Sequence, residues 1–435
     1  MLEGSKYSVK SLLSIFPSPL HLLSLNRYIV RVIKLFLTPR LNLFFFGKQN
    51  RASLKETLTG VYNITRLRYS IVEGPDESFV RRAEDRFANL LGFKYAIATG
   101  SGGISIQLAL RALDLPSGSN VAIQHDTCVA TAEAVIAASL TPLFIKTYPN
   151  SFRMDLQDLT NQLENFQVAA IIATHLAGGA ENITEMQILA DKFAIPLLED
   201  SCLSLIPSRE SKFAKPNLKI ISFGFSKPIS VGEGGIILTD NKPLATKISE
   251  LRHWGTNPLE GRDNDLKIPS WNGRISYLLL ELAVSKIETY MLSREILLKR
   301  ISKIQETFNR HNLPIEIYRG SAAHFQDCGF NIITFQFLES VEILDVLALR
   351  HLLTKNGFSL IDPTFPSIPN MTLFSQKNWE KYFLYPDQYN YTQNYSREYD
   401  APTKQLQFFS ISVEEIMPYF NSRKLIKQIK SWKLG

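Results

Sequence analysis

The sequence predicts an α/β protein with a mainly parallel central sheet covered by helices, followed by a smaller C-terminal α+β domain. From about residue 76, short apolar runs alternate with segments of helical periodicity, which is the pattern of βαβ units. Small or polar residues lie at the carboxyl ends of three predicted strands: Ser101 and Gly102, His175, and Asp200. Because ligands bind beyond the carboxyl ends of parallel strands, this edge of the sheet is the predicted functional site.

Local patterns predict the elements of this sheet one by one. Residues 76–92 have apolar positions at helical spacing and end at Gly92, a residue typical of helix C-caps. Residues 95–99 form a short apolar strand that runs into a glycine-rich turn and then into a helix at 104–115. The alternation continues with strands predicted at 121–124, 142–148, 169–176 and 196–200, and helices at 131–140, about 155–165, and 183–194.

Beyond about residue 275 the pattern changes. Residues 276–311 have the periodicity of one long helix, or of two helices in sequence, and this segment is a predicted connector between domains. From residue 314 to the end, strand and helix patterns mix with proline-rich and aromatic-rich loops. This mixture predicts the smaller α+β domain.

Composition excludes several classes of protein. The chain has 435 residues, 45% of them hydrophobic and 20% charged, which is ordinary for a globular protein of two or three domains. The three cysteines, Cys128, Cys202 and Cys328, are too widely spaced for a disulfide framework or a cysteine zinc site. No histidine pairing suggests a metal site, so none is predicted. The low cysteine count fits a reducing cytoplasm.

The positive charge is concentrated at the front of the chain. Residues 1–60 hold nine Lys and Arg against two Glu, which accounts for the whole net charge of +7. Residues 20–38 have an apolar face opposite a basic face, and three phenylalanines follow at 44–46. Two interpretations remain open: peripheral contact with a membrane through residues 20–46, or a helix packed on the main body, which we favour. Neither a transmembrane span, a signal peptide nor nucleic-acid binding is predicted.

Four short motifs carry the chemistry. A lysine ends SFGFSK (222–227), and GEGG (232–235) follows it. LLED (197–200) ends in an acidic residue after an apolar strand, and ATGSGG (98–103) precedes a helix. WNGRIS (271–276) precedes the long helical segment. Each motif alone has an ordinary structural explanation, but their order along one chain favours a shared site.

Together these motifs resemble the DegT-type family of pyridoxal-phosphate (PLP) sugar-nucleotide aminotransferases. The resemblance implies the PLP-dependent transferase fold of type I, which is the fold of aspartate aminotransferase. It implies three parts: a basic, hydrophobic N-terminal extension (1–68), a large PLP-binding α/β domain (69–290) and a small C-terminal α+β domain (291–435). The extension is an addition to the family pattern.

The resemblance also assigns roles to the lysine and its neighbours. Lys227 would form the Schiff base with PLP, and the hydroxyl of Ser222 would bind the cofactor phosphate. Asp200 would keep the pyridine nitrogen protonated, so that the ring draws electrons from the reacting carbon. The ordinary alternatives are an exposed loop lysine for Lys227 and a helix-capping carboxylate for Asp200.

The remaining two motifs would bind the cofactor phosphate. Ser101, Gly102 and Gly103 would present N–H groups at a helix N-terminus, where anions are stabilised. By the resemblance, Asn272 would reach the phosphate of the neighbouring subunit's cofactor, which implies a homodimer with shared sites. An ordinary glycine turn and an Asn-Gly surface turn are the competing interpretations.

Three positions depart from the family pattern. Gly103 stands where the family usually has threonine, which would remove one side-chain contact to the phosphate. Cys128 replaces the aromatic residue that would lie on the cofactor ring, a place His125 could take over. Leu203 stands where the family commonly has Gln or His, which removes a polar contact near the ring oxygen.

The predicted function is transfer of an amino group, with glutamate as the expected donor, to a keto sugar carried on a nucleotide. Sugar dehydratases of the family place histidine at the lysine position, so Lys227 favours transamination. Two alternatives stay open: a non-catalytic or regulatory protein that retains the scaffold, and a related PLP enzyme acting on a membrane-linked sugar. The first alternative draws on the departures at Gly103, Cys128 and Leu203, and the second on residues 20–46.

Overall fold

Two β-sheets and the helices around them make up the described part of the chain. This computed structural model describes residues 77–205, 215–256, 266–338, 341–375, 408–412 and 419–434. The predicted N-terminal extension (1–68), with the amphipathic residues 20–46, lies outside these residues. In the described ranges, no helix combines the length and the apolar character needed to cross a bilayer.

The larger sheet has seven strands, and six of them run in the same direction. The strands are β1 Tyr95–Thr99, β2 Asn120–Gln124, β3 Thr141–Ile145, β4 Val168–Thr174, β5 Leu197–Asp200, β6 Leu218–Ser222 and β7 Gly235–Thr239. Their order across the sheet is β1-β7-β6-β5-β4-β2-β3. Only β7 is antiparallel to its neighbours β1 and β6. This arrangement confirms the predicted mainly parallel sheet.

Burial on both faces explains why these strands are continuous apolar runs. Every residue of β3, β5, β6 and β7 is buried. A parallel sheet covered on both faces needs apolar side chains on both, so its strands lack polar alternation. Apart from the buried Lys219 in β6, the polar residues of these four strands therefore lie at or next to the strand ends.

Five of the six helices that cover the larger sheet begin within about two residues of the predicted positions, and the sixth, at 242–252, was not predicted. The second one begins at Gly102, two residues before the prediction, because the side chain of Ser101 caps it by accepting the N–H of Ile104. The helices are α1 Glu77–Leu91, α2 Gly102–Ala112, α3 Val129–Ala137, α4 Leu156–Asn165, α5 Ile183–Lys192 and α6 Lys242–Arg252.

A single 34-residue helix, α7 Tyr277–Arg310, connects the two sheets. It decides between the two predicted alternatives in favour of one long helix, which continues through the predicted domain boundary at residue 291. The second sheet is antiparallel, with the order β10-β11-β9-β8. Its strands are β8 Ile315–Ile317, β9 Ile332–Phe337, β10 Leu360–Ile361 and β11 Phe408–Ser412. The helices in this part of the chain are α8 Ile343–Lys355, α9 Thr372–Ser375 and α10 Tyr419–Leu434.

Each sheet has its own apolar core. The smaller sheet packs with the C-terminal half of α7, with α8 and with α10. Ile368 and Phe374 come from the C-terminal part of the chain but pack into the core of the larger sheet. There Phe374 meets Phe144 of β3 edge to face, with 5.2 Å between the ring centroids.

Candidate active site

Three strands bring predicted site residues to one edge of the larger sheet. β1 ends at Thr99 and leads through Ser101 into α2, β5 ends at Asp200, and β6 ends at Ser222. Because these strands run in the same direction, their carboxyl ends share one edge. Thr99, Asp200 and Ser222 therefore lie at the same edge of the sheet.

The first turn of α2 lies directly against β6 and the loop after β5. A Cβ atom on Gly102 would lie 2.8 Å from Ser222 Cβ and 3.0 Å from Cys202 Sγ, so only glycine allows this approach. The first N–H groups of a helix have no carbonyl partner within it. The close approach therefore places an anion-binding helix end beside the Ser222 hydroxyl.

Gly103 has open space beside it, in contrast to Gly102. A Cβ atom on Gly103 would meet only Ser101 Oγ, at 3.9 Å. Packing therefore does not require glycine here, and a larger residue fits. The Ser101 hydroxyl itself accepts the Ile104 N–H at 3.2 Å, so Ser101 organises the helix end from which these N–H groups project.

Asp200 is a buried carboxylate held by donors from three elements. Its side chain accepts hydrogen bonds from the hydroxyl of Thr131 at 3.2 Å, from the hydroxyl of Thr174 at 3.4 Å and from the N–H of Cys202 at 3.0 Å. Only 2% of the residue is exposed. These donors fix the carboxylate in place, and none of them compensates its charge.

Lys227 lies on the turn after β6 and beside Ser222. Its N–H donates to the carbonyl of Gly224 at 3.2 Å. A Cβ atom on Gly224 would lie 3.4 Å from Ser222 Oγ and 3.8 Å from Lys227 Cγ, so the hydroxyl and the lysine stem flank the same glycine. Lys227 is half-buried, which differs from an ordinary exposed loop lysine.

The thiol of Cys202 is influenced by both the lysine and the carboxylate. Burial raises the pKa of this thiol, the charge of Asp200 and a hydrogen bond to it raise that pKa further, and the charge of Lys227 lowers it. Cys202 therefore lies within electrostatic range of both groups. Since its Sγ also packs against Gly102, the lysine, the carboxylate and the α2 N-terminus surround one region.

Asn272 is exposed, and it lies near the loop that follows β1. Its Oδ1 accepts the backbone N–H of Arg274 at 3.2 Å and the Nε of Arg274 at 2.9 Å. The Arg274 guanidinium stacks over Trp254, 4.2 Å from the ring centroid. The adjoining carbonyl of Gly273 accepts the N–H of Gly100 at 2.8 Å. Since Asn272 Oδ1 is engaged by Arg274, its amide NH₂ remains to serve a group outside this turn.

Several nearby residues differ from what the sequence suggested. His175 follows β4, but its side chain turns to the opposite face of the sheet, where it contacts Glu199. The ring of His125 is buried and contacts Ser367 and Thr147 through its two nitrogens, at 3.4 and 3.3 Å. Leu203 packs in an apolar cluster with Phe152, Leu176, Tyr318 and Phe408, which explains an apolar residue at that position.

Thr131 and Thr174, the two threonines that hold Asp200, were not among the predicted site residues. Thr174 pairs with Asp200 in the register of β4 and β5, so both side chains lie on one face. Thr131 lies in the first turn of α3, which begins directly after the half-buried Cys128. A hydroxyl at the end of the strand next to the acidic one was the available signal for Thr174.

The donor set fits PLP. A phosphate suits the α2 N-terminus and Ser222, a pyridinium suits the buried carboxylate of Asp200, and an aldehyde suits a lysine amine. Among the described residues, two buried hydroxyls close in sequence to this region lack a hydrogen-bond partner: Thr127 Oγ1, beside Cys128, and Ser230 Oγ, three residues after Lys227. Such hydroxyls are suited to a polar ligand.

The fold is that of the PLP-dependent transferases of fold type I. Residues 70–319 match the DegT/DnrJ/EryC1/StrS aminotransferase family, and the chain belongs to it. This membership confirms the predicted family, the class of PLP-dependent transferase and PLP as the cofactor.

Two curated relatives and one solved structure illustrate the similarity. A UDP-2-acetamido-2-deoxy-3-oxo-D-glucuronate aminotransferase from Pseudomonas aeruginosa is 29% identical over 248 residues, which cover 56% of this chain and 66% of that protein. A GDP-perosamine synthase from Vibrio cholerae is 23% identical over 251 residues, 57% of this chain and 66% of that protein. The matched segments therefore span slightly less than two thirds of each relative.

The solved structure extends the similarity of fold. A DegT DnrJ EryC1 StrS aminotransferase from Brucella abortus superposes with a TM-score of 0.66 at 17% identity. The superposition covers 87% of this chain and 96% of that one. At this identity the comparison shows the fold alone.

Proposed function

We propose that this protein transfers an amino group from glutamate to a keto sugar carried on a nucleotide. Family membership supports amino transfer. The names of the two curated relatives contain UDP or GDP, and one names an oxo sugar as substrate, which supports a nucleotide-linked ketone. Lys227 supports transamination over dehydration, since a dehydratase of this family would carry histidine there.

One observation carries the proposal: an unbroken series of contacts joins the lysine to the carboxylate. Lys227 and Ser222 flank Gly224, Ser222 and Cys202 flank Gly102, and the Cys202 N–H donates to Asp200. These residues come from β5, β6 and α2, which are separate in sequence. A scaffold without a ligand has no need to gather an amine, a carboxylate and a helix N-terminus in one region.

Each residue has a role in the proposed reaction. Lys227 holds the cofactor and then moves a proton to and from the substrate carbon through its amine. Asp200 keeps the proton on the pyridine nitrogen, while Ser222 and the N–H groups of Gly102 and Gly103 bind the phosphate. When bound, PLP supplies the electron sink for the reaction. The threonines on Asp200 prevent its carboxylate from rotating away.

The proposed enzyme is a homodimer in which Asn272 serves the neighbouring site. The support is its exposed position, together with an amide NH₂ that the contacts of Arg274 leave unused. Asn272→Ala is expected to weaken PLP binding without changing Lys227 chemistry. Measuring dimer mass and PLP affinity for this variant separates a shared site from a surface turn.

Absorbance tests the proposed function. Purified protein is expected to take up PLP, absorb in the visible range and lose that band on addition of glutamate, and Lys227→Ala is expected to lose both responses. The matched control is Lys215→Met, which replaces an exposed lysine far from the site. A protein that takes up no PLP would favour the scaffold alternative. A panel of UDP- and GDP-linked keto sugars as amine acceptors then identifies the substrate.

The cytoplasmic location and the membrane alternative stay proposals based on the sequence. Flotation with anionic liposomes, for the full chain and for a chain without residues 1–60, separates the two interpretations of residues 20–46. Flotation of the full chain alone supports membrane contact. No flotation of either chain supports a helix packed on the main body.

A further inference from the structure

A buried cluster of charged and polar side chains lies behind Asp200, on the opposite face of the sheet. Glu199 is its centre: one carboxylate oxygen, Oε1, lies 2.6 Å from Lys219 Nζ, 2.9 Å from His175 Nε2 and 2.8 Å from Ser201 Oγ. All four residues are at most 4% exposed. We call Glu199, Lys219, His175 and Ser201 the Glu199 cluster.

The hydrogen bonds fix the charges within the cluster. His175 Nδ1 accepts the backbone N–H of Glu181 at 2.9 Å, so the ring proton lies on Nε2 and is donated to Glu199. Burial opposes the charged form of Glu199, but Lys219 and His175 together hold its pKa far below the ordinary value. Glu199 is therefore an anion whose charge is balanced by Lys219.

The Glu199 cluster and Asp200 share the same strand end. Glu199 and Asp200 are consecutive, so their side chains point to opposite faces of β5. The backbone N–H of His175 donates to the Asp200 carbonyl at 3.1 Å, and the N–H of Ser201 donates to the Ile220 carbonyl at 2.8 Å. A shift of the cluster therefore shifts the backbone that carries Asp200.

Stability alone does not explain this cluster. A buried ion pair is often no more stabilising than apolar residues of the same size, because both charges lose their hydration. Two consecutive carboxylates at one buried strand end would also repel each other, because little water is present there to screen their charges. A cation beside Glu199 removes that conflict.

We infer that Lys219 is a positioning residue for Asp200. By balancing the charge of Glu199 on one face, it lets Asp200 act as an anion on the other, in fixed geometry. The inference rests on the proposed role of Asp200 opposite the cofactor nitrogen. It extends the site to a residue that never touches the cofactor.

The test is a double-mutant comparison with PLP affinity as its measure. Full-length protein is stripped of cofactor, and the PLP dissociation constant is measured by absorbance titration. Lys219→Met is expected to weaken PLP binding about tenfold or more, since it leaves a buried anion unbalanced. Adding Glu199→Gln to it is expected to restore affinity to within about threefold of wild type, because neither charge then remains. Lys215→Met, on the exposed lysine before the same strand, is the control and should have no effect.

The outcomes separate this inference from the proposed function. Wild-type protein that binds no PLP contradicts the proposed function itself. If wild type binds and Lys219→Met binds equally well, or if the double variant is as impaired as the single one, the inference is wrong. Should Lys219→Met fail to fold, the double variant still decides, because the inference requires it to bind PLP within about threefold of wild type.

Discussion

Glu181 is a further buried carboxyl, beside the Glu199 cluster, and its replacement by glutamine tests quantitatively how burial affects a carboxyl group in this interior. Glu181 follows β4 and is 2% exposed. Its Oε1 accepts hydrogen bonds from Gln124 Nε2 at 2.8 Å and from the N–H of Met154 at 2.9 Å. Glutamine has the same shape and retains an oxygen for both donors.

The size of the effect follows from the pKa. Burial raises the pKa of Glu181 from 4.5 to about 8, and the charge of Asp126 adds to this, against opposing contributions from the Met154 N–H and from Arg153. The folded protein therefore binds a proton that the unfolded chain releases above pH 4.5. Stability is lost as the pH rises from 4.5 to about 8 and is constant beyond. The full loss is about 5 kcal/mol, and about 3 kcal/mol of it is present at pH 7.

Glu181→Gln removes this loss because an amide does not titrate. We expect the variant to equal wild type near pH 4.5, to be more stable by about 3 kcal/mol at pH 7 and by about 5 kcal/mol at pH 9. The assay is urea unfolding at several pH values, compared as the difference between variant and wild type. Groups common to both proteins cancel in that difference.

Glu185→Gln is the matched control, since Glu185 is exposed on α5 four residues away. Its difference from wild type should stay within about 0.5 kcal/mol at every pH. If Glu181→Gln shows no gain between pH 5 and pH 9, Glu181 is ionised in the folded protein. That result would show that burial does not raise the pKa of Glu181.

Three further predictions concern the cofactor region. Gly102→Ala is expected to weaken PLP binding about tenfold or more, because its Cβ would displace Ser222. Gly103→Ala, which has open space beside it, should bind PLP normally. Equal PLP affinities of the two variants would contradict the proposed role of the α2 N-terminus. Asp200→Asn is expected to slow amino transfer about 100-fold, the order seen when one preorganised charge-stabilising group is removed, and unchanged turnover would contradict its role. Cys202 should resist iodoacetamide at pH 8 in the folded protein, because its pKa is raised, and mass spectrometry of the labelled peptides would reveal modification.

The sheet could be predicted because its signals are local. The predicted strand at 95–99 has the observed bounds, and the other four predicted strands differ by at most three residues at either end, whereas no bounds were predicted for β6 and β7. Continuous apolar runs flanked by glycine and polar residues are sufficient for that. The direction of β7 was not predictable, since an apolar run has the same pattern in either orientation.

The lysine and the carboxylate could be proposed from the sequence, but their supporting residues could not. Thr174 holds Asp200 only because β4 and β5 pair in one particular register. Lys219 meets Glu199 by the same kind of pairing, between β6 and β5. Register between distant strands leaves no local pattern, so these contacts emerge only in three dimensions.

The sequence alone does not reveal why glycine is needed at position 102. Its sequence signal is that of any glycine turn before a helix, and the phosphate role rested on resemblance. The structure gives a separate physical reason, which is the approach of Ser222 and Cys202 to within about 3 Å of the missing side chain. A single sequence does not reveal which of two adjacent glycines is required by packing.

Reductive trapping identifies the lysine that carries PLP. Borohydride treatment of PLP-loaded protein fixes the cofactor on the lysine that carries it, and peptide mass spectrometry then identifies that residue. We expect one phosphopyridoxyl group, on Lys227, and none in Lys227→Ala. Labelling of another lysine, or of no lysine while PLP is bound, would contradict this expectation.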